Sequence, residues 1–165
     1  MNHPNKIPRR YIPAGLTRKD AHKQRRMILQ SRRQYKRGLL PAPAGAPANL
    51  CKQHRFQTRK RVASFRNRRS HHVRNARRMY GVNTISPTPE LARATGCSVR
   101  ALREIVRKGE GAYYSSGSRP NQTPQSWGLA RLASAITSGK AAYVDRDILE
   151  RGCTPKSRAL QMLDS

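Results

Sequence analysis

The distribution of charge limits this chain more than any other feature. The first eighty residues carry twenty-three Lys and Arg and a single acid, Asp20. Like charges repel at that density, and too little apolar surface remains to offset the ordering of the backbone. Such a segment condenses only on a polyanion or an acidic protein surface. Residues 81–165 carry twelve Lys and Arg against seven acids, a balance that permits a buried core. The chain therefore reads as mainly α: an extended, proline-punctuated basic arm with one long helix over 1–81, then a compact domain of short helices over 82–165.

Within the arm, Pro4, Pro8 and Pro13 keep the first residues extended. Thr17 with Asp20 three residues on reads as a capping box that starts a helix over 18–37, closed by Gly38. The apolar stripe of that helix is thin, with Ala21, Ile28 and Tyr35 at seven-residue intervals, so the helix is expected to lie on a partner. A Pro/Ala linker follows over 39–50. Residues 61–65 are β-prone, and Ser70 is placed to cap a helix over 71–80 that Gly81 ends.

The second half is punctuated more regularly. Thr88-Pro89 starts a short helix ended by Gly96, and Ser98 caps a second over 99–108, ended by Gly109. Thr123-Pro124 launches a third over 124–137, whose buried side is expected to be Trp127, Leu129, Leu132, Ala133 and Ile136. Asp145 is positioned to cap a fourth helix that Gly152 stops, and Thr154-Pro155 to start a last one. No internal repeat is evident.

Neither bulk charge nor helix periodicity explains residues 109–127. Gly109, Gly111 and Gly117 admit backbone forms closed to other residues, Tyr113 and Tyr114 are adjacent aromatics, and Arg119-Pro120 follows a serine-rich turn. This is expected to be a structured loop, with Tyr113, Tyr114, Arg119 and Trp127 as its architectural residues. Arg119 and glycine-freed N–H groups could also cradle an anion, but tyrosines and a tryptophan packing a small core account for the composition more simply.

The run GAYYSSGSRPNQTPQSWGLARLAS resembles the signature of an uncharacterised family of small basic proteins from large DNA viruses of algae and protists, with related segments in tailed phages of cyanobacteria. YIPAGLTRKDAHKQ over 11–24 and SRRQYKRG over 31–38 resemble its amino-terminal block. The resemblance implies a viral origin and assigns no catalytic residue.

Two binding patterns stand out. Arg-rich pairs in the arm (Arg9-Arg10, Arg25-Arg26, Arg32-Arg33, Arg68-Arg69 and Arg77-Arg78) suit bidentate contact with phosphate or carboxylate. They fit the genome and an acidic capsid surface equally well. Aromatics are too widely spread among them to make a stacking platform for single strands. The stretch 91–108 matches a helix-turn-helix: Ala92 at the close contact, Gly96 at the turn, and Leu102 and Ile105 buried. Ser98, Arg100 and Arg103 would then face a major groove, with Arg107 and Lys108 near phosphates. A plain helical corner needs the same small residue, glycine and aliphatics.

Three cysteines, Cys51, Cys97 and Cys153, recur at no regular spacing, which points to a reducing compartment rather than a disulfide scaffold. Cys51, His54, His71 and His72 could supply four zinc ligands, but at a spacing that no common finger uses, so no metal or other cofactor is expected. Catalysis has little support. The five histidines all lie in the arm, and Ser138-Gly139-Lys140-Ala141 lacks the spacing of a phosphate loop. The expectation is a non-enzymatic virion protein, a minor capsid or internal cement subunit in a large assembly. Its partners would be major and other minor capsid subunits, with viral DNA as a further candidate, and it would not span a membrane. The alternative is a double-stranded-DNA-binding protein using residues 91–108.

Overall fold

The computed structural model describes residues 6–36 and 58–165. Over these the chain is mainly α. A 3-10 turn at Arg9–Tyr11 precedes eight helices: α1 (Arg18–Lys36), α2 (His71–Tyr80), α3 (Pro89–Thr95), α4 (Val99–Ser115), α5 (Pro124–Ile136), α6 (Lys140–Val144), α7 (Arg146–Gly152) and α8 (Arg158–Asp164). The linker over 39–50 and the closing Gly38 lie outside the described residues.

Local chemistry explains most boundaries. Thr17, Ser70, Thr88 and Ser157 each accept a backbone N–H of the first helical turn, from Asp20, Val73, Leu91 and Leu160. Gly81 and Gly96 close α2 and α3 in the left-handed conformation, at φ of 63° and 73°. Three expected boundaries are corrected. The last helix starts after Ser157, not at Thr154-Pro155. Asp145 makes no side-chain cap to α7, because its carboxylate is engaged elsewhere. Most importantly, α4 does not end at Gly109 but continues to Ser115; its glycines lie inside the helix, so the loop shrinks to 116–123.

The expected division at Gly81 is also corrected. The chain splits into two compact units, one formed by the described residues of Met1–Asn67 with Ala112–Pro124, the other by Arg68–Gly111 with Gln125–Ser165. The first thus joins the basic segment to the Tyr113–Asn121 region, because side chains of that segment satisfy backbone groups there. Trp127 falls in the second unit, half-buried rather than in the core, and so does Leu129.

The second unit has an aliphatic centre of Leu91, Leu102, Ile105, Leu132, Ile136 and Leu149, all fully buried. Tyr80 closes one side, its hydroxyl donating to the carbonyl of Ile136 at 2.5 Å. Burial pushes its phenol up to about 12, against the opposing charge of Arg158. Cys97 and Cys153 are joined by a disulfide, contrary to the expectation of free thiols. They also form an antiparallel bridge, with Ser98 N–H donating to Gly152 O (2.7 Å) and Thr154 N–H to Gly96 O (2.9 Å). The α3–α4 corner is thereby fastened to the α7–α8 corner.

Candidate nucleic-acid interface

The first unit is organised on the C-terminal end of α4. The last carbonyls of a helix have no partner within it and carry partial negative charge. Here Ala112 O accepts the N–H groups of Ser116 and Gly117, at 2.9 and 3.1 Å. The carbonyls beyond are covered by side chains from far away in sequence. Arg59 donates to Tyr113 O (3.0 Å), Ser31 to Tyr114 O (2.9 Å), Arg32 to Ser116 O (3.0 Å) and Gln24 to Ser118 O (3.1 Å). Two of the four donors are cations at the negative end of the helix dipole. This explains why α1 needs so little apolar stripe: Gln24 and Ser31 are buried beside Ile28 and dock by hydrogen bonds.

Arg59 is the centre of this arrangement. Its guanidinium lies 3.6 Å from the centroid of the Tyr113 ring, and its Nη2 donates to Ser118 Oγ at 2.7 Å. The backbone N–H of Arg59 donates to the Tyr113 hydroxyl at 2.8 Å. Burial lowers the guanidinium from its ordinary value, and the neighbouring tyrosines act in the opposite direction. Tyr113 and Tyr114 are both buried, edge to face with centroids 5.1 Å apart. Tyr113 and Tyr114 are thus packed inside, as the composition of the stretch implied, and the backbone that meets the Tyr113 hydroxyl belongs to the basic segment.

Residues 61–65 form no strand. Instead the Asn121 amide pairs with Val62 like a neighbouring strand, accepting its N–H at 2.7 Å and donating to its carbonyl at 3.1 Å. Asn121 sits at φ 60° to do so. The expected capping box is likewise rerouted. Asp20 accepts from the N–H and hydroxyl of Ser64, at 2.8 and 2.6 Å, while Ser64 Oγ accepts from Thr17 N–H. Those two Ser64 bonds, the hydroxyl's first, hold the Asp20 carboxyl below its usual range.

These contacts sort the expected cations into two groups. Arg32 and Arg59 hold the fold together, and sequence reasoning did not single out Arg59. Arg9, Arg10, Arg25, Arg26, Arg33 and Arg119 are exposed in the same unit. The described part of this unit has sixteen Lys and Arg and one carboxylate, the Asp20 already held by Ser64. Its cations therefore have almost no internal counterions.

In the second unit Arg68, Arg69, Arg77 and Arg78 are exposed on and before α2, and Arg100, Arg103 and Arg107 on one face of α4. The helix-turn-helix pattern is matched in its packing: Leu102 and Ile105 are buried and Gly96 turns. Lys108 departs from it. Its ammonium lies 3.0 Å from Asp145, which Arg131 also grips with Nε at 2.7 Å and Nη2 at 2.8 Å. Burial of Asp145 acts to raise its pKa, but the bonds and charges of Arg131 and Lys108 outweigh it and hold the carboxyl below its usual range. His71 and His72 begin α2, while Cys51 and His54 of the zinc candidate lie outside the described residues. Among the described residues no helix is long and apolar enough to cross a membrane.

These features define a small, strongly basic helical protein whose exposed side chains are dominated by arginine. The chain belongs to a family of unknown function (DUF5824), whose model matches residues 47–150, a stretch holding Arg59, the α3–α4 corner and the Tyr113–Asn121 region. No curated protein and no solved structure matches it.

Proposed function

We propose that this chain is a non-enzymatic virion structural protein, a minor capsid or internal cement subunit, whose basic amino-terminal segment binds acidic subunit surfaces or the genome. The observation that carries this reading is the first unit's excess of exposed cations over its single, already engaged carboxylate. A compact body of that charge is favoured beside a polyanion and disfavoured alone. The viral setting comes from the likeness of residues 111–134 to a viral signature. The test is the protein content of purified particles. Fixed stoichiometry that persists after genome removal supports a shell position, and loss with the genome supports a genome-bound one. Absence from particles overturns the reading.

A second reading, double-stranded-DNA recognition by residues 91–108, is favoured by the exposure of Arg100, Arg103 and Arg107 on one face of α4. On that reading Arg100→Ala or Arg103→Ala changes base preference, at a cost of about 1–3 kcal/mol at the contacted base. Competition against scrambled duplexes decides it, since equal loss on every sequence removes the specific reader.

A further inference from the structure

We infer that the exposed face of α1 is a binding surface for the phosphate backbone of double-stranded nucleic acid, with Arg25, Arg26 and Arg33 at its centre. This rests on the polyanion-binding reading above and names the polyanion. Arg18, His22, Arg25, Arg26, Arg33 and Lys36 are exposed. Their spacing keeps them on one side of the helix, opposite the buried Gln24, Ile28 and Ser31. Docking by the buried face leaves this row exposed among the described residues. Among the described residues Arg33 donates to Leu29 O of its own helix, at 3.4 Å, whereas Arg32, one position along, is turned inward onto Ser116 O.

Three features favour a duplex over other polyanions. First, α1 has 19 residues, roughly 28 Å of rigid length at 1.5 Å per residue. Duplex DNA presents a phosphate about every 1.7 Å of axis, so a rigid row of arginines meets charge along its whole length. Second, among the described residues of this unit no Tyr or Phe is fully exposed: Tyr11, Tyr113 and Tyr114 are buried, and Tyr35 and Phe65 are half-buried. Single strands are held largely by stacking on aromatics. Third, the exposed face is nearly all charge: half-buried Leu29 lies among its cations, and no aromatic anchor stands beside it. Protein interfaces centre on aromatic and other apolar side chains and are depleted of charge there, whereas phosphate contacts need only Arg and Lys.

The test uses the full chain. Binding is measured to a random-sequence duplex, to one of its strands and to polyglutamate, over a salt series. The duplex is expected to bind tightest, with equal affinity for scrambled sequences. R25Q/R26Q/R33Q is expected to lower the slope of log K against log salt by about 3, at roughly 0.9 per lost phosphate contact. Helical content is expected to stay unchanged, and the R25K/R26K/R33K chain to keep the slope. An unaltered slope in the glutamine variant would place the duplex elsewhere on the chain and overturn the inference. So would tighter binding to polyglutamate or to the single strand, and either would leave the virion reading standing. A chain that binds all three equally poorly at low salt sinks the inference together with the polyanion reading. Absence from particles sinks the virion reading alone.

Discussion

Gly109 of α4 and Gly128 of α5 meet where their helices cross. A Cβ built on Gly109 would lie 2.5 Å from Gly128 Cα, and one on Gly128 would lie 2.6 Å from the carbonyl oxygen of Val106. The obstacles are backbone atoms, which cannot turn aside as a side chain can. Glycine at both positions is therefore a packing requirement and not a helix stop.

Gly109→Ala and Gly128→Ala should each destabilise the fold by about 1–3 kcal/mol, as overpacked cores do. Gly111 is the control: a Cβ there meets nothing within 4 Å. Gly111→Ala should stabilise by about 0.5–1 kcal/mol through helix propensity. Urea unfolding of the three variants measures this, and a stable Gly128→Ala protein would contradict the close crossing.

Arg59→Lys should weaken the first unit by about 1–3 kcal/mol, because an ammonium cannot reproduce the forked donation to Tyr113 O and Ser118 Oγ while stacked on the ring. Tyr113→Phe removes the acceptor of the Arg59 N–H and should cost a similar amount. Arg119→Ala, at an exposed position, should melt like the parent. Thermal melts followed by tyrosine absorbance compare the three.

The folded Asp145 carboxyl lies below its unfolded value, so the unfolded chain binds the proton first as pH falls. The stability it contributes is present above about pH 4, the ordinary value for Asp, and is lost as pH falls through the depressed folded value. Asp145→Asn should cost about 1–3 kcal/mol at neutral pH, since it removes charge-assisted hydrogen bonds from a buried carboxylate while its partly exposed cations stay solvated. It should also flatten the acid limb of the stability profile. Denaturant titrations from pH 7 to pH 2 on both proteins check the sign.

Reduction should destabilise the second unit. The Cys97–Cys153 bond closes a separation of 56 residues, worth about 4 kcal/mol by loop entropy. Adding reductant should lower the Tm of the parent and leave that of a Cys97→Ser/Cys153→Ser chain unchanged. Equal response in both would mean that the bond carries no stability.

The sequence by itself determined what is local. Ser70 and Gly81 bound α2, and Thr88, Pro89 and Gly96 bound α3, because caps and left-handed glycines act within one helical turn. It also determined the charge excess, which is a sum and needs no fold. The tertiary structure decided what depends on partners distant in the chain. A glycine inside a helix and one at its end look alike until the crossing helix is in place, so Gly109 read as a stop. Asp145 read as a cap until Lys108 and Arg131 surrounded it. Arg59 was one cation among many, and only the fold brings it over Tyr113, 54 residues away, to cover the end of α4. Composition and period record what a side chain can do, whereas the direction in which each arginine points, inward to a carbonyl or outward to a phosphate, is fixed by which backbone groups the fold leaves uncovered.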